Sequence, residues 1–315
     1  MRLRKSNLVL ASLPLYHSFG YICIEATDTL NGLSTVYTSM KPKPREVLQA
    51  IAEEKVTTLH GTPTTFYDIL RSPDFGKTDI SSLENGTIGA TTLHPAAIAE
   101  IIANLNLRDF MTGYGLTETS GACSFGDGKD FRGYELFDET YARILKENGS
   151  VAGPGEKGEI QLKGPTVFKE YLNDREKTTA VLDGEGWFRT GDLGTMNEDR
   201  KLIVSGRVSD LIIKGGVNIS PAEIEPVLME HPSILEAHVV GVGDDRLGEE
   251  VCAWIKLRAD KGCSEEHVRD FAAKKLSRIK VPKYVIVTDE FPKTSLGKIS
   301  KMKLREAFEL MRKKD

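Results

Sequence analysis

The sequence lacks an excess of positive charge. Its 42 lysine and arginine residues face 46 aspartate and glutamate residues, for a formal net charge of -4. A general nucleic-acid-binding protein carries a strong basic bias, so the composition argues against that class. Internal repeats and low-complexity segments are also missing, and the composition is that of an ordinary globular protein. A chain of 315 residues predicts about two domains, with about three as an alternative.

Cysteine is scarce and scattered. Cys23, Cys123, Cys252 and Cys263 form no Cys-x-x-Cys pair and belong to no His/Cys cluster with metal-ligand spacing. Such usage is typical of reduced, mostly buried thiols in an intracellular protein. We therefore expect neither disulfides nor a zinc site.

Long apolar runs are missing as well, and no run is long enough to span a bilayer. The first residues, MRLRKSNLVLASLPL, are basic and then apolar, as in secretory signals. The apolar part is short and interrupted by Ser12 and Pro14. We therefore interpret residues 8–13 as a buried strand, and we identify no targeting signal.

Residues 7–112 alternate between two periodicities. Short apolar or β-branched runs lie at 8–13, 34–39, 56–61, 86–90 and 108–113, and helical patterns lie at 44–55, 62–72 and 94–105. Pro44, Pro63 and Pro95 occupy first-turn positions, where a missing N–H costs nothing. The alternation predicts βαβ units and a parallel sheet, whose ligands bind beyond the carboxyl ends of the strands.

The pattern changes after residue 135. Short strands joined by glycine-rich turns predict antiparallel hairpins or a small β-barrel up to about residue 208. Mixed strands and helices follow, with Ser220-Pro221 and Glu223 predicting a helix start. The predicted fold is an α/β parallel-sheet subdomain (about 7–135), a small β-barrel (about 136–208) and an α+β C-terminal domain (209–315).

The stretch MTGYGLTETSG, residues 111–121, directly follows a predicted strand. Its glycines allow backbone N–H groups to approach an anion. Thr117 can donate to a phosphate oxygen, Glu118 offers a carboxylate oxygen to Mg²⁺, and the ring of Tyr114 can cover a flat base. A polar turn with a helix cap explains the same residues equally well.

Four more residues are candidates, and each has an ordinary alternative. Asp192 in FRTGDLG suits a ribose diol, although a Gly-Asp turn also explains it. Arg207 in VSGRVSD could bind ribose or phosphate oxygens, or could be a surface arginine. Lys298 in TSLGK could reach developing negative charge, or could be a solvated basic residue. His17 in LPLYHSFG could meet a carboxylate substrate, or could be structural.

Together and in this order, the motifs resemble those of the AMP-forming acyl-CoA synthetases of the adenylate-forming superfamily. The resemblance runs from Leu8 to the last predicted helix and rests on YGLTET, TGD, GRVSDLIIKGGVNISPAEIE and TSLGK. GTPTTFYDILRSPDFGKTDIS, VVGVGDDRLGEEVCAWIKL and SLGKISKMKLRE look most like the mitochondrial medium-chain fatty acyl-CoA ligases. The resemblance implies that ATP and Mg²⁺ activate a fatty acid as acyl-AMP with release of pyrophosphate, after which coenzyme A displaces AMP.

The resemblance also implies a role for each candidate residue. Tyr114 would stack on adenine, Thr117 would contact the α-phosphate, and Glu118 would hold Mg²⁺. Asp192 and Arg207 would bind the ribose side, and Lys298 would bridge the acyl carboxylate and the α-phosphate. The other implied positions are Gly89, Ala90 and Thr91 beside adenine, His17, Gly61, Thr62 and Gly115 around the acyl pocket, and Lys214, Gly215 and Gly216 along a tunnel for coenzyme A.

Further implications concern domain movement and substrate class. The family rotates its C-terminal domain between the half-reactions, and here the hinge would be Ser209, between a domain at 1–208 and a lid domain at 209–315. No acidic residue lies near His17 to hold an α-amino group, which favours a plain fatty or aryl acid over an amino acid. Luciferase-like oxidation stays an open alternative. The implied partners are small molecules, and the implied location is the mitochondrion.

The sequence departs from the family pattern at two places. The Ser/Thr- and Gly-rich phosphate loop, which relatives carry a few dozen residues before the PLYH motif, is not found here. The segment FGDGKDFRGYELFDETYA stands where relatives have a Gly-x-Pro turn. We expect the first α/β subdomain and the N–H cradle for the β- and γ-phosphates to be missing from this chain. The competing prediction is a non-catalytic nucleotide- or CoA-binding remnant that releases no pyrophosphate.

Overall fold

The structure is a computed structural model that describes residues 4, 6–39, 42–89, 95–258, 261–294 and 298–312. Its first sheet contains seven strands in the order β2-β1-β3-β4-β5-β6-β7. Strands β1 to β5 pair in parallel, and β6 and β7 add antiparallel pairs at one edge. The predicted parallel sheet is confirmed. Its strands are β1 (Leu8–Ala11), β2 (Ser34–Tyr37), β3 (Thr58–Gly61), β4 (Asn85–Gly89), β5 (Asp109–Tyr114), β6 (Ser124–Asp127) and β7 (Glu135–Leu136).

The helices between these strands begin where proline predicts. Pro44, Pro63 and Pro95 are the first residues of α2 (Pro44–Glu54), α3 (Pro63–Leu70) and α4 (Pro95–Leu105). A π-helix (Phe19–Ala26) continuing into α1 (Thr27–Asn31) follows β1 and had no prediction from the sequence. The main core packs α2, α3 and α4 on one face of the sheet, with members that include Leu10, Leu48, Ile51, Leu59, Phe66, Ile69, Ile88, Ile101 and Phe110.

The region predicted as a β-barrel is a four-stranded sheet in the order β11-β10-β9-β8. Its strands are β8 (Tyr141–Leu145), β9 (Gly158–Lys163), β10 (Phe188–Met196) and β11 (Leu202–Arg207), and α5 (Arg175–Val181) lies between β9 and β10. A bridge between Tyr134 and Leu202 joins this sheet to the segment that enters β7.

The last sheet has five strands, in which β13-β12-β15-β14 are consecutive neighbours and β16 pairs with β15. The strands are β12 (Ile212–Lys214), β13 (Val217–Ile219), β14 (Ile234–Asp244), β15 (Gly248–Leu257) and β16 (Tyr284–Val287). Alternate residues of β15 join two separate cores, one with α6 (Pro221–Met229) and α7 (Glu265–Ala273), the other with α8 (Lys301–Arg312). The α+β prediction for this region is confirmed.

The chain divides into two compact units. The first contains Met1–Thr190 and Gly194–Val204, and the second contains Gly191–Leu193 and Ser205–Asp315. The points at which the chain passes from one unit to the other therefore lie within β10 and β11. The domain division at 208/209, with its hinge at Ser209, stays a prediction. Within the part of the chain that the structure describes, no helix combines the length and apolar character that crossing a bilayer requires.

Candidate active site

Four predicted segments lie at the carboxyl edge of the parallel sheet in the first unit. His17 follows β1, Gly61 ends β3, Gly89 ends β4 and Tyr114 ends β5. Gly61 pairs with Ile88, and Gly89 pairs with Gly113, so these strands end at nearly the same level. This edge is where parallel sheets bind ligands. Ala90 and Thr91 lie outside the described residues.

Close backbone contacts join the loops at this edge. A Cβ atom on Gly89 would lie 3.3 Å from a ring carbon of Phe19, and one on Gly121 would lie 3.0 Å from the Cys23 Sγ. The segment after β1 therefore packs against the end of β4 and against the GLTETSG loop. The structure thus places Ser18 and Cys23 beside Gly121, which follows YGLTET in the chain.

His17 is half-buried at the start of the π-helix. Its Nδ1 accepts a hydrogen bond from the Phe19 backbone N at 3.2 Å, so the neutral ring carries its proton on Nε2. This bond explains a histidine here by loop geometry alone. A contact between His17 and an acyl group stays a prediction.

The other acyl-pocket candidates also have packing explanations. A Cβ on Gly61 would lie 2.8 Å from the Thr65 Cβ, and a Cβ on Gly115 would lie 2.4 Å from the Ala122 Cα. Thr62 caps α3 by accepting from the Thr65 backbone N at 3.4 Å. Close contacts explain the two glycines and helix capping explains Thr62, so their place in an acyl pocket stays a prediction.

Tyr114 is buried, with its ring centroid 5.8 Å from that of Tyr134. It belongs to a core cluster together with Cys123, Ile144, Ile160, Leu162 and Leu202. Its backbone O accepts from the Cys123 backbone N at 3.0 Å. Packing therefore occupies much of the ring, and its stacking on adenine stays a prediction.

Thr117 and Glu118 lie on a short 3-10 helix, Thr117–Thr119, after β5. The capping role falls to Thr119, whose Oγ1 accepts from the Leu116 backbone N at 2.8 Å. Thr117 is exposed, so its hydroxyl is available to a phosphate. Thr119 therefore provides the cap, and phosphate binding by Thr117 stays a prediction.

Glu118 has a partner that the sequence did not reveal. Its Oε1 accepts a hydrogen bond from the Tyr171 hydroxyl at 2.8 Å, and its backbone O accepts from the Phe168 backbone N at 2.8 Å. Burial, followed by the hydrogen bond to Glu118, raises the pKa of Tyr171 to about 12. Tyr171 therefore stays protonated and donates to the carboxylate at neutral pH. No local pattern marks Tyr171, because its partner lies far away in the chain.

The surroundings of Glu118 fit a magnesium ion that takes most of its ligands from a substrate. No group of three or more His, Cys, Asp or Glu side chains suited to a metal ion occurs among the described residues. Mg²⁺ commonly uses one or two carboxylates together with phosphate and water oxygens. A single half-buried carboxylate beside the exposed Thr117 matches that pattern.

The second unit brings Asp192 and Arg207 into contact. Asp192 is buried on β10, and Arg207 ends β11, the neighbouring strand. The Arg207 Nε lies 2.9 Å from the Asp192 Oδ1, with side-chain exposures of 55% and 5%. The guanidinium is therefore partly open to solvent while it orients a buried carboxylate.

Lys298 belongs to the same group. Burial lowers the pKa of the half-buried Lys298, the positive charge of Arg207 lowers it further, and the Asp192 carboxylate raises it. The Lys298 backbone O accepts from the Thr294 backbone N at 2.7 Å, and its N donates to the Thr294 Oγ1 at 3.2 Å. Three motifs that are remote in the sequence thus place a carboxylate and two cations together.

The residues predicted to line a CoA tunnel occupy a tight hairpin. Gly215 and Gly216 join β12 to β13 with φ values of 58° and 80°. Two consecutive left-handed residues are typical of a type I′ turn, which explains both glycines without a ligand. Lys214 is buried, with its Nζ 2.6 Å from the Glu250 Oε2, a partner that sequence reasoning missed. Ser209 is exposed on a 3-10 helix, Val208–Asp210.

Comparison with known proteins gives family matches for two parts of the chain. The model of the AMP-binding enzyme family matches residues 1–172, and that of the AMP-binding enzyme C-terminal domain matches residues 223–298. A mitochondrial medium-chain acyl-CoA ligase of Danio rerio is 36% identical over 313 residues, covering 97% of this chain and 52% of that protein.

Two solved structures share the fold. ATP-bound MatB from Rhodopseudomonas palustris superposes with a TM-score of 0.87 at 29% identity, covering 96% of this chain and 60% of that one. An anthranilate CoA ligase in complex with anthranoyl-AMP gives 0.86 at 26% identity, covering 97% and 60%. The chain therefore spans about half to three-fifths of the length of these relatives.

The family-model match covers more than half of the chain, and it agrees with the order of motifs, the parallel sheet and the α+β C-terminal region. The resemblance inferred from the motifs is thereby confirmed at the level of the family. This chain belongs to the AMP-binding enzymes, the adenylate-forming family.

Proposed function

We propose that this chain carries the site at which a carboxylic acid is activated by ATP as acyl-AMP and then transferred to coenzyme A. The observation that carries the proposal is the grouping of Asp192, Arg207 and Lys298 in the second unit. A buried carboxylate suits a ribose diol, and two cations suit the charge that develops during phosphoryl transfer.

Within this proposal, each of the other candidate residues also has a role toward the substrates. Tyr114 and Gly89 contact adenine, Thr117 donates to the α-phosphate, and Glu118 holds Mg²⁺ with Tyr171 orienting its carboxylate. Bound Mg²⁺ would neutralise phosphate charge during attack by the acyl carboxylate. Lys298 donates from its ammonium to the oxygens of the acid and the α-phosphate.

The identity of the acid is a finer proposal. A relative at 36% identity is named a mitochondrial medium-chain acyl-CoA ligase, which supports a medium-chain fatty acid and a mitochondrial location for this protein. In the thioester step, the segment around Lys214, Gly215 and Gly216 lines the path of coenzyme A after rotation about Ser209. Gly215 and Gly216 are exposed at the hairpin turn, which is compatible with that role, whereas Lys214 is buried beside Glu250.

The first experiment is calorimetric titration of the purified chain with a non-hydrolysable medium-chain acyl-AMP analogue. We expect saturable binding, and Asp192→Ala should weaken it about tenfold to a hundredfold because hydrogen bonds to a buried charged group are lost. Asp199→Ala, at an exposed turn residue, is the matched control. A folded chain that fails to bind the analogue would overturn the proposal.

Half-reactions separate catalysis from binding. Lys298→Ala should strongly reduce pyrophosphate release from ATP and acid, yet leave thioester formation from supplied acyl-AMP largely intact. Equal loss in both half-reactions would contradict the assignment of Lys298 to adenylation. Binding of AMP or coenzyme A without any pyrophosphate release by the wild type would favour the alternative of a non-catalytic nucleotide-binding remnant.

A further inference from the structure

Lys301 joins three elements of the second unit at one ammonium group. It is the first residue of α8, and its Nζ lies 2.8 Å from the Glu225 Oε1 on α6. The same Nζ lies 4.0 Å from the Asp210 Oδ2, at the end of the 3-10 helix that contains Ser209. The side-chain exposures of Lys301, Glu225 and Asp210 are 22%, 19% and 29%.

This degree of burial distinguishes the cluster from ordinary surface ion pairs. Exposed pairs contribute little because water and salt screen them, whereas removing one partner of a buried pair leaves a poorly solvated charge. Glu225 is also fixed from a second direction, because its Oε1 accepts from the Val239 backbone N at 2.9 Å on β14. Glu225 is therefore a rigid attachment point for Lys301.

A short run of bonds connects Lys301 to Lys298. The Ser300 backbone N donates to the Pro292 O at 2.8 Å, and a bridge pairs Lys293 with Ile299. The Thr294 backbone N donates to the Lys298 O at 2.7 Å. Residues 292–294 and 298–300 are thus held together, and the peptide chain continues directly into Lys301. Fixing Lys301 fixes the base of the segment that carries Lys298.

We propose that Lys301 is a positioning residue for Lys298. Through Glu225 and Asp210, it holds residues 292–294 and 298–300 so that the Lys298 ammonium stays beside Asp192 and Arg207. The contact with Asp210 also links this segment to the predicted hinge at Ser209. The inference rests on the proposed function only where it expects a change at Lys301 to slow adenylation.

The first test measures backbone hydrogen exchange by mass spectrometry in the full chain. Lys301→Met keeps the length and apolar stem of the side chain but removes its charge. We expect amides of residues 293–294 and 298–300 to exchange about tenfold faster in this variant, because their opening becomes local and easier. Lys303→Met is the matched control, since Lys303 is exposed on the same helix and should leave exchange unchanged.

A second variant tests the same ion pair in case Lys301→Met fails to fold. Glu225→Gln retains an oxygen for the Val239 N–H but removes the negative charge that attracts Lys301. It should reproduce the faster exchange at residues 293–294 and 298–300 while the rest of β14 stays protected. Exchange at residues 293–294 and 298–300 that is equal in the wild type, Lys301→Met and Glu225→Gln would overturn the proposal.

The rates of the two half-reactions distinguish a positioning role from a purely structural one. Loss of a purely structural residue would not slow one half-reaction selectively. Lys301→Met should lower pyrophosphate release about tenfold and leave thioester formation from acyl-AMP within about twofold, because only the first step uses Lys298. Equal losses in both steps would overturn the positioning role. Faster exchange in a protein whose wild type performs neither half-reaction would support the anchoring by Lys301 and overturn the proposed function instead.

Discussion

Lys298 is a lysine whose charge state depends on two named neighbours. Burial and the Arg207 guanidinium lower the pKa of Lys298, and the Asp192 carboxylate opposes them. A protonated ammonium is required if Lys298 stabilises developing negative charge. The balance between Asp192 and Arg207 therefore sets the upper pH limit of that role.

This balance can be measured directly. Arg207→Gln should raise the pKa of Lys298, because a repelling positive charge is removed, and Asp192→Asn should lower it, because an attracting charge is removed. The measurement is carbon-13 NMR of dimethylated lysines across pH, with Lys298→Arg assigning the signal. Shifts of the same sign in both variants would refute the electrostatic grouping.

His60 is a buried histidine whose pKa is shifted by its position in the parallel sheet. It is buried on β3 opposite Thr87, and its Nδ1 has no hydrogen-bond partner among the described residues. Burial lowers the pKa of His60 from 6.5 to about 4. The folded protein therefore binds this proton less readily than the unfolded chain, so stability is lost as pH falls from 6.5 towards 4.

Replacing His60 should remove part of the acid sensitivity. Between pH 7.5 and pH 5, titration of His60 lowers the free energy of unfolding by about 2 kcal/mol. His60→Leu should lose that contribution, measured as the difference from wild type in urea unfolding at the two pH values. Burial raises the pKa of Asp28 to about 6 and produces the opposite trend in both proteins, so the difference isolates His60. An unchanged pH dependence would contradict the depressed pKa.

At the scale of elements, substitutions in the β12–β13 hairpin can show whether its glycines are needed for the turn or for binding coenzyme A. Gly215 and Gly216 both have positive φ, and a Cβ on Gly216 would meet nothing within 4 Å. Gly216→Val should therefore cost about 1–2 kcal/mol through backbone strain alone. Gly215→Asn should be nearly neutral in stability, because asparagine tolerates the left-handed conformation.

The two substitutions separate the alternatives in one comparison. Urea unfolding measures stability, and calorimetric titration measures coenzyme A binding. If Gly215→Asn preserves both, the glycine is needed for the turn only. If it preserves stability but weakens binding, the backbone also borders the ligand, as the sequence interpretation proposed.

Local sequence signals predict some helix boundaries and miss others. Ser220 occupies the N-cap of α6, as predicted, yet its Oγ donates to the Ser205 O at 3.2 Å and forms no side-chain cap bond. Residues 19–31 form a π-helix and α1, which no periodicity in the sequence indicated. A π-helix has a different hydrogen-bonding repeat, so the usual helical spacing does not detect it.

At the scale of the whole molecule, the two units have separate cores and one tryptophan each. Trp187 lies in the first unit, where the Arg143 guanidinium stands 4.3 Å from its ring, and Trp254 is buried in a core of the second. The chain contains two tryptophans, so replacing either one leaves a single reporter, which lies in the other unit. Fluorescence can therefore follow each unit by itself.

We expect two unfolding transitions that mutations shift separately. Leu59→Ala should destabilise the first unit and Ile255→Ala the second, each by about 2–5 kcal/mol, because both side chains are fully buried. Trp254→Phe reports the first transition and Trp187→Phe the second during urea unfolding. Coincident transitions that respond equally to both mutations would show a single cooperative unit.

The sequence by itself determined much of the local structure and the order of the motifs. Proline at first-turn positions and β-branched runs marked α2, α3, β3 and β5 to within two residues, because those signals act within a few neighbours. Motif order was sufficient to identify the family. Neither signal depends on knowing which strands are neighbours.

The tertiary structure decided which distant residues meet. Tyr171 with Glu118, Lys214 with Glu250, and Lys301 with Glu225 are pairs that no spacing in the sequence predicts. Each pair depends on strand order and helix placement, which result from packing of the whole core rather than from local preference. For the same reason, only the tertiary structure identifies Arg207 and Asp192 as the charged groups that shift the pKa of Lys298.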